Sequence, residues 1–147
     1  MGKEIVFLPP KLTSLHMMDQ NIQKRIESSQ THIFKAVFPN TTNHYDTLFG
    51  GTALQLMDEA SFICATRFSR KKVVTVSTGQ IDFTKPIPQG TLVELIARVI
   101  KVGTSSCVVQ VDIFMENMYE DIREKAVTGV FTFVAIDDEK KPASIID

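Results

Sequence analysis

The stretch NHYDTLFGGTALQLMDEASFICATRF, residues 43–68, decides how this chain is read. Residues 40–49 are dense in turn formers. From about Gly51 to Phe68 no interior Gly or Pro interrupts a run carrying Leu54, Met57, Ala60, Ile63 and Cys64, which closes on the basic residues Arg67, Arg70, Lys71 and Lys72. That pattern predicts one long helix with cations at its carbonyl end.

On either side the periodicity changes from helix to strand. THIFKAVF, residues 31–38, mixes apolar and β-branched residues and stops at Pro39. Val73–Phe83 is β-rich and broken by Gly79. Leu92–Val102 alternates, KVGTSS turns the chain, and Val108–Met115 alternates again, with Val109, Val111, Ile113 and Met115 on one face. Ala126–Ile136 is apolar on both faces, as in a strand inside a sheet. Antiparallel strands need one face covered, and a single long helix is available to cover it. The expected fold is α+β: an antiparallel sheet of five or six strands wrapped around one central helix.

The totals fit one soluble domain: 147 residues, 44% hydrophobic, 22% charged. A net charge of −1 gives no sign of nucleic-acid binding. No apolar run approaches the roughly 18 residues of a membrane span. MGKEIVFLPP lacks a secretory layout, and Val6 stands where a myristoylation signal takes Ser or Thr, so the expectation is a cytoplasmic protein. Cys64 and Cys107 lie in apolar stretches and read as buried small hydrophobes rather than metal ligands. Residues 1–24 read as a weakly patterned arm in which Pro9-Pro10 breaks any early helix, 25–142 as the domain, and 143–147, the end of the run DDEKKPASIID, as a solvated tail.

Two features of the opening stretch carry chemistry. Gly50 and Gly51 stand at a helix start, where the first N–H groups have no internal partner and the dipole favours negative charge. Such a mouth can hold a carbonyl oxygen that becomes an oxyanion, hold a phosphate, or be only a tight turn. Asp58 shares a helix face with Leu54, Ser61, Phe62 and Ala65, whereas Glu59 falls on a polar row with Thr52, Gln55 and Thr66. An acid on a core-facing side is costly unless paired or used. Asp58 is read either as a general base or as a structural acid bonded to a strand.

Taken in order, these residues resemble the hotdog-fold acyl-CoA thioesterases of the acyl-CoA hydrolase subgroup. The resemblance rests on NHYDTLFGG (43–51), MDEA (57–60), VVTVS (73–77), IDF (81–83), KPI (85–87), KVGTSS (101–106) and FTFVA (131–135). It implies a dimer of hotdogs joined edge to edge and assembled further as a trimer of dimers. It implies hydrolysis of an acyl-CoA thioester to coenzyme A and a carboxylic acid, with no metal or prosthetic group. Several relatives carry an Asp or Asn two residues before Phe-Gly-Gly; here that place holds Thr47, with Asp46 one step earlier. Another branch carries its acid in the helix, seven residues after the second Gly, where Asp58 stands.

The residues expected in the site follow from both lines. The Gly51 N–H, beside Gly50, polarises the carbonyl, and Asp58 is the base, with Asp46 and Asn43 as alternatives. Asn43 and His44 position water or acyl group, or His44 is an exposed turn residue. Thr75, Val76 and Ser77 line the thioester channel. Lys101, Gly103, Thr104, Ser105 and Ser106 receive the phosphates, or form an ordinary hairpin turn. Arg67, Arg70, Lys71 and Lys72 draw the 3′-phosphate, or only complement the helix end. Two other outcomes stay open: a hydro-lyase pairing His44 with Asp58, and a non-catalytic acyl-CoA binding module.

Overall fold

A computed structural model describes residues 10–147, with side chains from Asp19 onward. In chain order the elements are α1 (Pro10–Ser29), β1 (Thr31–Ala36), a 3-10 turn (Pro39–Thr41), α2 (Gly50–Ser69), β2 (Val73–Thr78), β3 (Asp82–Phe83), β4 (Thr91–Val102), β5 (Ser106–Asn117) and β6 (Arg123–Ala135). The six strands form one sheet in the order β1-β4-β5-β6-β2, with β3 on β6, and every pairing is antiparallel. The sheet wraps α2, as the sequence pattern predicts.

The core lies between the sheet and one face of α2. From the sheet come Val93, Leu95, Ala97 and Val99 of β4, Cys107, Val109, Val111 and Ile113 of β5, and Phe131 and Phe133 of β6. From α2 come Ala53, Met57, Ala60, Ser61, Cys64, Ala65 and Phe68. Five of these seven are small, which lets the helix axis approach the sheet closely. Both cysteines are free and buried.

Two terminal expectations are overturned. Residues 10–24 of the region read as a weakly patterned arm belong to a 20-residue helix, α1, which runs on to Ser29. Pro10 does not break it, because it is the first helical residue, where a missing N–H removes no intrahelical bond. The part of the expected arm before Pro10 lies outside the described residues. The C-terminal run is not simply solvated: Ile145 is 0% exposed, and its N–H donates to the Thr104 carbonyl at 2.9 Å. Ala143, Ile145 and Ile146 at the end of a charged run are too short a stretch to carry a periodic signal that would mark that burial.

The carbonyl ends of α1 and α2 satisfy one another. The Arg25 guanidinium donates to the Phe68 carbonyl at 2.8 and 3.1 Å and to Ser69 at 3.3 Å. The Arg67 guanidinium donates to the carbonyls of Ser28, Ser29 and Gln30 at 2.8, 3.4 and 3.0 Å and to Thr31 Oγ1 at 3.0 Å. The last carbonyls of a helix have no intrahelical partner, so each arginine supplies what the other helix lacks. Among the described residues no helix is long and apolar enough to cross a membrane.

Candidate active site

The loop before α2 is organised by Asn43. Its Oδ1 accepts from the N–H of Tyr45 at 2.9 Å, the N–H of Thr47 at 3.3 Å and Thr47 Oγ1 at 3.1 Å. Its N–H donates to the Thr47 carbonyl at 2.8 Å. This is a side chain replacing backbone in a turn, and it leaves the Asn43 amide NH₂ unbonded among the described residues. Asp46 closes the turn in the left-handed region, φ 59°, with its carboxylate exposed. His44 is exposed and lies against Tyr45, ring centroids 3.8 Å apart.

Phe49 precedes the first helical residue in extended conformation, and Gly50 and Gly51 start α2. A Cβ on Gly51 would lie 2.7 Å from the Phe49 ring, so the close turn of Phe49 over the helix mouth requires glycine there. Beside the mouth is a hollow of about 280 Å³ lined by Leu48, Ala53, Phe83, Lys85, Pro86, Ile87 and Val127.

Asp58 is exposed and does not face the core, which corrects its placement on a core-facing row. Ser61 and Ala65 of that row are buried, but Leu54 and Phe62 are 38% and 45% exposed. The row therefore straddles the edge of the core, and Asp58 lies on the side of α2 that looks along β2. There its Oδ1 accepts from Thr75 Oγ1 at 2.9 Å. Leu54, Gln55, Asp58, Thr75, Thr78 and Phe131 line an open groove of about 330 Å³. The pairing joins residues 17 apart in sequence and sits on the sheet edge, since β2 pairs only with β6 among the described residues.

Thr75 lies in the groove beside Asp58 and Ser77 does not. Strict alternation would put both on one face, but the register shifts between them, and Val76 is the extra residue. Thr75 stands opposite Phe133 and Thr78 opposite Phe131, both inward-facing, while Ser77 stands opposite Thr132 on the outer face. Thr78 thus replaces Ser77 in the groove, and Val76 is 53% exposed. Sequence reading missed Thr78, Gln55 and Leu54, and a bulge leaves no mark in an alternation count.

One turn beyond Asp58, Phe62 begins a second hollow of about 510 Å³ with Thr66, Arg70, Lys71, Lys72 and Val73. The Thr66 hydroxyl is buried without a hydrogen-bond partner among the described residues. Most of the basic cluster is already engaged. Arg67 caps α1, Lys71 Nζ donates to the Ser144 carbonyl at 2.6 Å and pairs with Asp147 at 2.9 Å, and Lys72 pairs with Asp138 at 2.8 Å. Arg70 alone of the four has no side-chain partner among the described residues.

The KVGTSS turn joins β4 to β5 at this same end, since the Ala135 N–H donates to the Ser105 carbonyl and the Ile136 N–H to the Lys72 carbonyl, both at 2.9 Å. The Gly103 N–H is not open to a phosphate, because it donates to the Ser106 carbonyl at 2.8 Å to close the hairpin. A Cβ at that position would lie 2.7 Å from Ser106 Oγ and would turn that hydroxyl aside. Lys101 is exposed, and the hydroxyls of Thr104, Ser105 and Ser106 hold no hydrogen bond among the described residues. A 20-residue helix is about 30 Å long, so one chain holds its glycine mouth and its KVGTSS turn at opposite ends. Among the described residues no group of His, Cys, Asp and Glu is arranged to hold a metal ion.

Comparison with known proteins places this geometry. Residues 45–122 match the thioesterase superfamily. The chain is 42% identical over 109 residues to the uncharacterized acyl-CoA thioester hydrolase YkhA of Bacillus subtilis, covering 74% of this chain and 63% of that protein, so it spans less than two thirds of that relative. The acyl-CoA hydrolase of Staphylococcus aureus, solved in complex with butyryl coenzyme A, coenzyme A and coenzyme A disulfide, superposes with a TM-score of 0.78 at 39% identity, over 81% of this chain and 73% of that one. Structures of that hydrolase also exist with single alanine substitutions of an asparagine, an aspartate and a threonine, spaced 15 and then 17 residues apart. Those are the intervals from Asn43 to Asp58 and from Asp58 to Thr75. The hexameric thioesterase y2039 of Yersinia pestis superposes with a TM-score of 0.70 at 33% identity, over 76% of this chain and 91% of that one. The chain belongs to the thioesterase superfamily.

Proposed function

We propose that this protein hydrolyses acyl-CoA thioesters to coenzyme A and a carboxylic acid, in sites completed when two copies pair along β2. The observation that carries the reading is the Asp58–Thr75 pair, set in a groove that lies open along an unpartnered sheet edge. Around it Leu54, Phe62, Val74 and Val76 expose apolar surface, and an edge strand with apolar neighbours invites a second strand. The hexameric relative and the coenzyme A complexes of the S. aureus hydrolase support the same assembly and substrate class.

The chemistry needs little. Thr75 fixes one oxygen of Asp58, and the other takes a proton from water as the water oxygen bonds to the thioester carbon. The carbonyl oxygen becomes an oxyanion held by the Gly51 N–H at a helix start. Collapse of that intermediate breaks the carbon–sulfur bond and releases the thiolate, a good leaving group. Direct attack by the carboxylate through an anhydride is the other route open to the same residues.

Within one chain Gly51 and Asp58 lie seven residues apart, about 10 Å along the helix, too far to act on one carbonyl. A two-fold pairing reverses the second chain, turning its helix mouth, with Gly51 and Asn43, towards the groove of the first. The matched spacing of Asn43, Asp58 and Thr75 supports that set. The nucleotide end of the substrate lies at the other pole of α2, on Lys101, the hydroxyls of Thr104, Ser105 and Ser106, and Arg70.

The test is thiol release across a panel of acyl-CoAs of increasing chain length. Turnover on at least one member is expected. Enoyl product from a 3-hydroxyacyl-CoA without free thiol would replace this reading with a hydro-lyase. Tight binding without turnover on any member would replace it with a binding module.

A further inference from the structure

The hairpin that carries Lys101, Thr104, Ser105 and Ser106 is held from behind by the last six residues of the described chain. The Ile145 N–H donates to the Thr104 carbonyl at 2.9 Å, and the Ile145 side chain is wholly buried. The Ala143 N–H donates to the Ala135 carbonyl at 2.8 Å, and the Ala135 N–H donates in turn to the Ser105 carbonyl at 2.9 Å. Lys71 of the α2–β2 turn reaches over and holds the Ser144 carbonyl at 2.6 Å and the Asp147 carboxylate at 2.9 Å.

The direction of these bonds matters. A trans peptide points its N–H opposite to its carbonyl. Tying the Thr104 carbonyl back to Ile145 therefore turns the Ser105 N–H to the other side, away from the segment. The second tie, on the Ser105 carbonyl, fixes the next peptide in the same way. The hairpin's own closing bond, from the Gly103 N–H to the Ser106 carbonyl, leaves the Thr104–Ser105 peptide without a tie, and a peptide left free to turn costs entropy to select on binding.

We propose that residues 142–147 form a strap that holds the Lys101–Ser106 hairpin in the shape that receives the nucleotide end of acyl-CoA, with Ile145 as its positioning residue. This rests on the reading above that the hairpin binds that end. Ile145 touches no substrate. It plugs the strap into the core so that its N–H meets Thr104. The strap also takes Lys71 out of the basic cluster, so that Lys71 serves the strap rather than the phosphates.

The strap and the hairpin reading separate in one experiment: steady-state kinetics on acyl-CoA and on the same acyl group carried by pantetheine, which lacks the nucleotide. Four variants are compared with the unaltered chain: Lys101→Ala, Ile145→Ala, Ile145→Val and Asp147→Ala. Lys101→Ala reports on the hairpin itself and should raise KM for acyl-CoA only. Ile145→Ala should raise KM for acyl-CoA by about tenfold while kcat and the pantetheine KM stay within about twofold, as for uniform binding lost away from the chemistry. Ile145→Val, which keeps most of the plug, should restore KM to near the original value.

Asp147→Ala alters only an exposed tie, so it keeps the question answerable if Ile145→Ala does not fold. A strap predicts a small rise in KM, up to about threefold, as befits an exposed ion pair. A fall in KM would mean that Lys71, once released, binds phosphate, and would overturn the strap. If Lys101→Ala discriminates the two substrates but Ile145→Ala leaves both KM values unchanged, or raises them equally, the strap is wrong and the hairpin reading stands. If Lys101→Ala fails to discriminate, the hairpin reading falls and the strap falls with it.

Discussion

The two ends of α2 are built on different plans. At the carbonyl end, Arg25 and Arg67 exchange helix caps, Lys71 and Lys72 are paired, and Ile145 is sealed in the core. At the amino end, Tyr45, Phe49 and Phe83 are more than half exposed, and the Asp46 carboxylate has no partner among the described residues. Between them the groove face offers Asp58 one partner, Thr75. The last helix carbonyls and the lysines Lys71 and Lys72 at the carbonyl end are satisfied within one chain, with Arg70 and the Thr66 hydroxyl left over, whereas the groove and mouth keep donors, acceptors and apolar surface to spare. Stability is concentrated at the first, and the surplus at the second is what a substrate and a second subunit require.

This contrast can be broken by substitution. The largest effect expected is at the groove: Asp58→Asn should lower kcat by roughly 10²-fold or more, with the fold intact by circular dichroism. Asp46→Asn, in a solvated turn, should cost far less. A large loss at Asp46 with little at Asp58 would move the chemistry to the loop before the glycines.

Next, Thr75→Ala should reduce kcat by about tenfold, because it frees Asp58 without removing it. Ser77→Ala should leave kcat unchanged if the bulge at Val76 turns that side chain outward, as the register requires. Equal losses at Thr75 and Ser77 would show that the bulge is absent in solution.

At the fastened end the expected loss is in stability and not in rate. Arg67→Ala removes a donor from the Ser28, Ser29 and Gln30 carbonyls at the end of α1, of which Ser29 keeps the Thr31 hydroxyl. It should cost about 1–3 kcal/mol, the worth of a charged hydrogen bond, with the melting temperature falling by several degrees and kcat unchanged. A fall in kcat matching that of Asp58→Asn would mean that the two ends are not separable.

The smallest response should come from the thiols. Burial pushes Cys64 up and Cys107 up to about 12, with the neighbouring Cys64 adding to the latter. A raised value leaves the neutral thiol, the unreactive form, dominant at every working pH. An alkylating reagent at pH 8 should therefore label neither cysteine until denaturant is added. Labelling at the rate of a free thiol in the folded protein would show that the core opens.

Much of this was legible in the residues. Alternation placed β4 and β5, a run apolar on both faces placed β6, and the uninterrupted run after Gly51 placed α2, because a period of two or of 3.6 is set by local backbone geometry. Asn43, Asp58, Thr75 and the KVGTSS turn were all singled out by type and position. What the pattern misjudged was orientation. Leu54 and Phe62 are large and apolar, yet they line surface hollows, and the face against the sheet is carried by alanines, Ser61 and Cys64 together with Met57 and Phe68. A helical row shows which residues share a side, and only the packing shows what that side meets.

The sequence by itself determined α2, the main strands, their antiparallel arrangement and the residue types on which the proposed chemistry draws, since these follow from propensity, period and turn chemistry along contiguous chain, but it did not show α1. The tertiary structure alone decided that Asp58 meets Thr75, that a one-residue bulge exchanges Ser77 for Thr78, that Arg25 and Arg67 cap each other's helices, and that Ile145 closes behind the KVGTSS turn. Each of these joins residues far apart in the chain through one side chain or one register step. A single contact leaves no periodic trace, and its geometry is fixed only once the whole core has packed.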